Sequence, residues 1–147
     1  MINKISSTDS SKSLANSKTW GNYNGEEITY TGRYATFNNT YSDAILEAFS
    51  AVQDNKIKNA NNPIMLTTGA SDHNRAYNIY DVAGNVFEYT HEIAWLYNET
   101  TTEQYRNVRG GSYPYTGDYN PAYFRQTIWA NDFARHDIGF RVMLYMK

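Results

Sequence analysis

The chain of 147 residues contains no cysteine. No disulfide bond can therefore cross-link the fold, and no thiolate is available as a nucleophile or as a soft metal ligand. The lack of cysteine does not determine the cellular compartment, because a reducing cytosol and an exported particle are both compatible with a cysteine-free chain. Chemistry that depends on a thiol is excluded.

Long apolar runs and clusters of basic residues are also missing. No segment approaches the roughly 18 apolar residues that a membrane-spanning helix needs, and the N-terminal region lacks the apolar stretch of a signal peptide. The formal net charge is −2, and lysine and arginine are scattered along the chain. Nothing in this charge distribution attracts a polyanion. We therefore expect neither membrane insertion nor nucleic acid as a partner.

Aromatic residues, by contrast, make up 16% of the chain, and 14 residues are tyrosines. Tyrosine rings are rigid and amphipathic, so a surface rich in them binds partners through ring contacts rather than through charge. The same rings can instead fill a loop-rich core from which the hydroxyl groups reach water. Composition leaves both roles open, and we divide the rings between them.

The chain has the length of one domain with a single core. Residues 1–19 are rich in Ser, Lys and Asn and poor in large apolar groups, which predicts a linker or an irregular lead-in. Residues 20–147 are predicted to form the domain. The linker-like start favours the C-terminal domain of a longer protein over a reduced, independent domain.

A single main helix is predicted, over residues 41–53. Apolar residues recur there at the i, i+3, i+4 and i+7 spacing of a helix with one buried face: Ile45, Ala48, Phe49 and Val52. Thr40 or Ser42 can cap its first turn. Elsewhere, glycine-containing turns separate short β-favouring segments, and the apolar run at residues 63–67 is either a buried strand or an edge strand.

Three short blocks stand out in the second half of the chain, at residues 78–89, 109–113 and 138–142. The first is predicted to be a turn that runs into a strand, and the third a terminal strand inside a sheet. The adjacent glycines of the second predict a strand that bulges or that another backbone approaches closely. The residues predicted to be structural are Gly84, Arg109, Gly110, Gly111, Gly139 and Arg141.

The order and spacing of these blocks resemble the C-terminal part of the formylglycine-generating enzyme (sulfatase-modifying factor) family, over roughly residues 75–147. The resemblance implies an α+β fold of the C-type lectin-like kind, loop-rich, with short antiparallel strands and one main helix. The chain is closest in character to the non-catalytic variable proteins of diversity-generating retroelements. A fold that hosts oxidases, binding modules and display proteins does not by itself name an activity.

The enzymes of that family use a pair of cysteines shortly after the Gly-Gly-Ser block, and the motif places Tyr115 and Asn120 at those two positions. Neither side chain can act as a thiolate, which excludes formylglycine generation. Ser112 lacks the closing glycine of a nucleophile elbow, because Pro114 stands there. The stretch that begins at His91 resembles a zinc-protease helix but has tryptophan in place of the second histidine. We predict no catalytic residue.

Two residues of the first block have a candidate metal role. In the family that the chain resembles, the asparagine and the glutamate of this block lie near a structural calcium site, which suggests Asn85 and Glu88 as oxygen ligands. The alternative is that Glu88 pairs with Arg109 or Arg141 in a dry network. We favour the ion pair, because a calcium ion needs about six or more oxygens. We expect no required cofactor, with structural calcium as the one candidate.

The segment at residues 113–137 contains no Lys, Glu or Met and is dense in Tyr, Asn and Asp. In the lectin-like folds that the chain resembles, this stretch faces the ligand, and in retroelement-diversified relatives adenine-directed mutagenesis rewrites it to such residues. Gln126 and Trp129 break that rule and are predicted to be fixed scaffold positions. The residues predicted to form one exposed recognition face are Tyr113, Tyr115, Asp118, Tyr119, Asn120, Tyr123, Asn131, Asp132, Phe133, Arg135 and His136.

Two functions from different classes follow. The first is a non-catalytic display domain that binds a protein or glycan on a cell surface, located on a phage particle or a bacterial cell surface and part of a larger chain or oligomer. The second is an oxidase-like or sulfoxide-synthase-like enzyme of the same superfamily, which needs thiols or a three-histidine iron site. The three histidines, His73, His91 and His136, are far apart in sequence, so we favour the first.

Overall fold

A four-stranded sheet organises the C-terminal half of the computed structural model, which describes residues 15–38, 45–76, 78–97, 102–129 and 135–141. Within these ranges the chain forms twelve strands and one 3-10 helix, Asp72–Asn74. The strands are β1 (Ile28–Gly32), β2 (Tyr34–Ala35), β3 (Phe37–Asn38), β4 (Ile45–Leu46), β5 (Gln53–Lys58), β6 (Met65–Leu66), β7 (Arg75–Ala76), β8 (Ile79–Tyr80), β9 (Phe87–Tyr97), β10 (Thr102–Arg109), β11 (Arg125–Trp129) and β12 (Ile138–Gly139).

The order of strands in this sheet is β11-β10-β9-β12. β9 and β10 are rich in aromatic and β-branched residues, which fit a pleated, half-buried surface. β10 runs antiparallel to both of its neighbours, whereas β12 is parallel to β9, with Ile138 opposite Phe87. β9 begins in the first sequence block and lies between the strands that carry the other two. The three blocks therefore meet on one sheet. Among the described residues, β12 is a two-residue strand at the edge of this sheet, not inside it as the sequence predicted.

The rest of the described chain contains four two-stranded antiparallel sheets, β1-β5, β2-β6, β3-β4 and β7-β8. The apolar run at residues 63–67 forms β6, and both of its residues are buried. Both alternatives for that run apply, because the strand is buried and also forms the edge of a two-stranded sheet. Short antiparallel strands joined by loops are thus confirmed as the dominant structure.

The helix predicted over residues 41–53 is wrong for the part that the structure describes. β4 begins at Ile45 and β5 at Gln53, and residues 41–44 lie outside the described ranges. The intervening backbone bonds to β2 and its neighbours: Ser50 N donates to Tyr34 O at 2.9 Å, and Glu47 N to Thr36 O at 3.1 Å. A helix of this length is marginal without a buried face. Of the four residues in the apolar stripe, Ala48, Phe49 and Val52 are exposed, which is not the buried face that the prediction requires.

Tyrosine serves the core as well as the surface. Tyr23 packs with Trp20 and three alanines in one buried cluster, and Tyr113 packs with Ala35 and Met65 in another. A third cluster, beneath the large sheet, is built from aliphatic and phenylalanine side chains that include Val108. Tyr30 and Tyr105 are buried as well, whereas Tyr89, Tyr119 and Tyr123 are exposed. Tyrosine therefore fills the core and also lies on the surface, and the binding role of the exposed rings stays a prediction.

Lys58 is a buried cation at the end of β5, with 1% of its surface exposed. Its ammonium donates hydrogen bonds to the carbonyl oxygens of Tyr23 and Glu26. Burial lowers the pKa of Lys58 to about 8, because the charged form is poorly solvated there. The side chain ties β5 to the segment that precedes β1.

Part of the segment before Trp20 is packed into the fold. Ser17 is fully buried, its N–H donates to Gly117 O at 2.8 Å, and its Oγ accepts from Ala122 N at 2.8 Å. Residues 1–14 lie outside the described ranges, so the extent of the lead-in stays a prediction. Among the described residues, no helix has the length and apolar character that crossing a membrane requires.

Candidate functional site

The site is built on a tight turn that precedes β9. Gly84 and Asn85 adopt left-handed backbone conformations, with φ of 72° and 62°. At Gly84 a side chain has no room, because a Cβ there would lie 2.4 Å from the carbonyl oxygen of Asn22. Gly84 N donates to Gly110 O at 2.8 Å, which joins the first block to the second. The predicted turn into a strand and the structural role of Gly84 both agree with this geometry.

Asp81 lies at the start of the same turn and is buried. Its carboxylate accepts from Asn74 Nδ2 at 3.1 Å and from Gly69 N at 3.2 Å. Burial raises the pKa of Asp81, and these hydrogen bonds partly offset the effect. The carboxylate therefore fastens the turn to the loop at residues 69–74.

Both polar atoms of the Asn85 side chain form hydrogen bonds. Its Oδ1 accepts from Leu66 N at 2.9 Å and from Asn22 Nδ2 at 3.1 Å, while its Nδ2 donates to Leu66 O at 2.9 Å. Asn85 thus acts as a one-residue bridge to β6. The oxygen predicted to bind calcium is used by two N–H donors, so the residue does not fit a calcium ion.

Glu88 forms the ion pair that we favoured. The Nε atom of Arg141 donates to Glu88 Oε1 at 2.8 Å, and Nη2 of the same guanidinium also donates to Tyr80 O at 2.9 Å. Arg109 pairs elsewhere, with Glu92. Within the described ranges, no group of three or more histidine or acidic side chains could hold a metal ion. The predicted calcium ligands therefore serve as a hydrogen-bonded bridge and an ion pair.

The Glu88 pair gives a stability prediction of modest size. Both side chains are partly exposed, 26% for Glu88 and 32% for Arg141, so solvent screens their attraction. Glu88→Ala should lower the free energy of unfolding by about 1 kcal/mol, close to the upper limit for screened pairs. Thermal unfolding should show a decrease in melting temperature of about 2 to 4 °C.

Two controls accompany that measurement. Asp72→Ala removes the carboxylate of a more exposed pair with Arg75 and should leave the melting temperature nearly unchanged. We expect no bound calcium ion, so a chelator should not change the melting temperature of the unmodified protein. A bound ion would stabilise the folded protein by mass action, and its removal would lower the melting temperature. A melting temperature that falls on chelation would restore the calcium interpretation.

The second block ends β10 and redirects the chain. Gly110 and Gly111 have φ of 98° and 73°. A Cβ on Gly111 would lie 2.1 Å from the carbonyl oxygen of Asn120, and the hydroxyl of Tyr23 donates to Gly110 O at 2.9 Å. The glycines thus allow the loop that follows to fold back onto the end of β10. This is the close backbone approach that the sequence predicted.

The recognition loop, residues 112–124, is fixed by backbone hydrogen bonds along its whole length. Tyr113 N donates to Asn85 O at 3.0 Å, and Asn120 N donates to Thr116 O at 2.9 Å. Ala122 N donates to Ser17 Oγ at 2.8 Å, and Ala122 itself is fully buried. The loop has little regular secondary structure, but its backbone is held at both ends and in the middle.

The structure divides the predicted recognition residues into several groups. Tyr119 and Tyr123 are 75% and 53% exposed, and Asp118 is also exposed. Tyr115, Arg135 and His136 are half-buried. Tyr113 and Asn120 are buried, and Asn131, Asp132 and Phe133 lie outside the described ranges. The three exposed residues share one loop, and their role in binding stays a prediction.

The expectation of exposure is wrong for Tyr113 and Asn120. Tyr113 packs against Met65 and Val86, and this burial raises the pKa of its hydroxyl. Asn120 lies against Gly111, where the loop folds back. Both residues anchor the loop from beneath, while Tyr119, next to Asn120, is exposed.

Arg135 and His136 lie beside these anchors. The guanidinium of Arg135 makes two hydrogen bonds of 2.9 Å to the buried carboxylate of Asp137, which also accepts from Ser112 Oγ at 3.3 Å. The ring of His136 lies 6.1 Å from that of Tyr113 in an edge arrangement. Burial lowers the pKa of His136. This cluster joins the start of the loop to the chain just before β12.

Sequence reasoning missed Arg125 and the residues that hold Tyr123 in place. Arg109 binds Glu92 through two nitrogens and donates to Tyr123 O at 2.9 Å. Arg125 follows on β11 with 58% of its side chain exposed, 3.9 Å from the Glu92 carboxylate. In the structure, exposed and less exposed residues alternate from 123 to 127, and Arg125 is one of the exposed ones. The sequence Tyr-Phe-Arg-Gln-Thr does not itself show this alternation.

A family comparison covers nearly the whole chain. The profile of the sulfatase-modifying factor enzyme 1-like domain matches residues 14–145. The chain belongs to this family. Neither the curated proteins nor the solved structures that were searched gave a significant match.

The matched region includes the N-terminal half of the chain, outside the three blocks that first indicated the family. In this sulfatase-modifying factor domain, Tyr115 and Asn120 stand where the motif places the cysteine pair. Asn120 is buried and Tyr115 packs beside Phe87. A phenol and an amide do not fit the thiolate site of the family's enzymes.

Proposed function

We propose that the chain is a non-catalytic ligand-binding domain of the C-type lectin-like kind, with a recognition surface formed by Tyr119, Tyr123 and Arg125. The observation that carries the proposal is the contrast between exposed rings and a fixed backbone. Tyr119 and Tyr123 present most of their surface to solvent, while Asn120 and Ala122 between them are buried. Large side chains on a pre-organised backbone lose little entropy on binding.

The side chains on this surface are of the types that dominate binding energy. Tyrosine and arginine are enriched among residues whose truncation costs the most at interfaces. Arg125 carries a mostly exposed guanidinium next to Glu92, and Asp118 adds an exposed acceptor close to Tyr119 in sequence. A surface of rings, one cation and one carboxylate suits a polar partner with some apolar area. We propose a protein or a glycan on a cell surface.

The chemistry of the family's active positions supports binding over catalysis. The phenol of Tyr115 and the amide of Asn120 cannot supply the thiolate ligands that the family's oxidases use. Ser112 Oγ donates to the buried carboxylate of Asp137, which gives the hydroxyl a structural partner. These positions are used to hold the loop.

The setting that fits such a domain is a phage particle or a bacterial cell surface, where the domain would be part of a larger chain or oligomer. The tyrosine-rich segment at residues 113–137, which lacks Lys, Glu and Met, also suits diversification by a retroelement. A reverse transcriptase gene beside a near-copy of the coding sequence for residues 113–137 would support that origin. A genomic neighbourhood without either would contradict it and would leave the binding proposal standing.

Replacement of Tyr119 and Tyr123 by serine should abolish binding and preserve the fold. Each buried ring of an interface centre contributes about 2 kcal/mol, so each single variant should weaken binding by roughly tenfold or more. Fluorescently labelled protein would be tested on panels of bacterial cells and immobilised glycans. Thermal unfolding should show nearly the same melting temperature for the double variant and the unmodified protein.

The matched control replaces exposed apolar residues elsewhere. Val52 and Ile57 are 64% and 58% exposed and belong to the region of β5. Val52→Ser with Ile57→Ser should leave binding intact. Equal binding by the tyrosine double variant, or a loss of binding shared with the control, would refute the recognition surface.

A further inference from the structure

A groove runs along β1, apart from the recognition loop. Its volume is about 710 Å³, within the range of small-molecule sites. One wall is β1 with Glu27 before it, and the other is the loop at residues 69–73 with Tyr80 beyond it. Asn55 of β5 closes the side. None of the lining residues belongs to the recognition loop.

Hydrogen bonds within the protein fix the walls of this groove. Ser71 Oγ donates to Thr29 O at 2.6 Å, and Thr31 N donates to Ala70 O at 2.7 Å, so the loop is bonded to β1 along its length. The hydroxyl of Tyr80 donates to Asp72 Oδ1 at 3.1 Å. Because the groove is already formed, little conformational entropy is lost when it binds a ligand.

The chemical groups of the lining residues indicate which class of ligand the groove can bind. The lining includes the carboxylates of Glu27 and Asp72, the amide of Asn55, the imidazole of His73 and backbone groups, so it presents many acceptors and a few donors. No lysine or arginine is among the described lining residues, which disfavours an anionic ligand. Ile28, Tyr30 and Ala70 also belong to the lining but are buried, and so small an exposed apolar area disfavours a lipid. Tyr80 adds a half-buried ring against which a flat apolar face can pack.

We propose that this groove binds a neutral saccharide of one or two rings. Hydroxyl groups of a sugar donate to the carboxylates of Glu27 and Asp72 and accept from the amide of Asn55, and the C–H face of the sugar ring packs on Tyr80. Asp72 is well placed for such contact, because 75% of its side chain is exposed. This inference does not rest on the proposed function of the tyrosine surface.

The test uses the full chain and a panel of free neutral mono- and disaccharides at millimolar concentration. Saturation-transfer NMR would identify binding sugars, and titration would give their dissociation constants. The double variant Glu27→Gln with Asp72→Asn preserves side-chain shape and removes both carboxylates. It should weaken saccharide binding by tenfold or more. Asp118→Asn, a matched change on the recognition loop, should leave it unchanged.

Three outcomes would overturn the groove as a saccharide site. One is that no sugar of the panel binds the full chain. Another is that the double variant binds sugars as well as the unmodified protein does. The third is that Asp118→Asn weakens binding equally, which would assign the sugar to the tyrosine surface. Loss of cell binding in the tyrosine variants leaves this test unaffected.

Discussion

Gly111→Ala is expected to lower the free energy of unfolding by roughly 4 kcal/mol or more, from the combined costs of left-handed strain and overpacking. The φ of Gly111 is 73°, and a Cβ at this position would lie 2.1 Å from Asn120 O and 2.7 Å from the Tyr23 hydroxyl. The first of these atoms belongs to the backbone and cannot move aside without the whole loop. Urea unfolding followed by tyrosine and tryptophan fluorescence would measure the change.

Gly25→Ala is the matched control. Gly25 also has a left-handed φ, 91°, but nothing lies within 4 Å of the position that a Cβ would take. The control therefore isolates the conformational cost, about 1 kcal/mol. Equal and small losses in the two variants would mean that the loop does not fold back onto Gly111. A larger loss for Gly111→Ala, with weaker binding to cells, would show that this contact also positions the tyrosine surface.

Asn85→Ala is expected to cost roughly 4 kcal/mol, because it leaves several buried polar groups without partners at about 1 to 3 kcal/mol each. The amide side chain bonds both the N–H and the C=O of Leu66 and also accepts from Asn22 Nδ2. Asparagine is also tolerated in left-handed conformations better than alanine, which adds to the loss. Chemical unfolding monitored by circular dichroism would report the change in stability.

Asn55→Ala serves as the control for this substitution. Asn55 has a positive φ of 46°, and its side chain is exposed. Its replacement removes the conformational preference alone and should cost about 1 kcal/mol or less. If Asn85→Ala is as mild as Asn55→Ala, the amide does not bridge the turn to β6, and its oxygen becomes available again as a metal ligand.

The turn before β9 and the glycine break at the end of β10 were predictable because their signals are local, whereas β11 was not predicted. Adjacent glycines, the Gly-Asn turn and alternating apolar residues indicate strands and close approaches within a few residues. The ion pair of Glu88 was predictable in kind, since a half-buried carboxylate needs a cation. Its partner was left as a choice between Arg109 and Arg141. Arg109 lies opposite Glu88 in the strand register, yet its guanidinium binds Glu92.

The features that sequence reasoning missed depend on distant contacts. The helical spacing from Ile45 to Val52 predicts a helix only if another surface buries one face, and here the backbone pairs with residues 34–36 instead. Likewise, the burial of Tyr113 follows from its packing on Met65 and Val86. Tyr119 and Tyr123 of the same loop are exposed, and Tyr115 is half-buried. Composition predicted one exposed recognition face, but it did not distinguish the buried residues of the loop from the exposed ones.

The packing of Ser17 has a mechanical consequence. Through one hydroxyl and one N–H, this residue joins the segment that enters the domain to Gly117 and Ala122 of the tyrosine-bearing loop. A pull or twist applied to the chain before Ser17 is transmitted first to that loop, ahead of the large sheet. If the domain is attached to an assembly through this segment, the angle of attachment and the tension on the segment would affect how Tyr119 and Tyr123 contact the proposed partner.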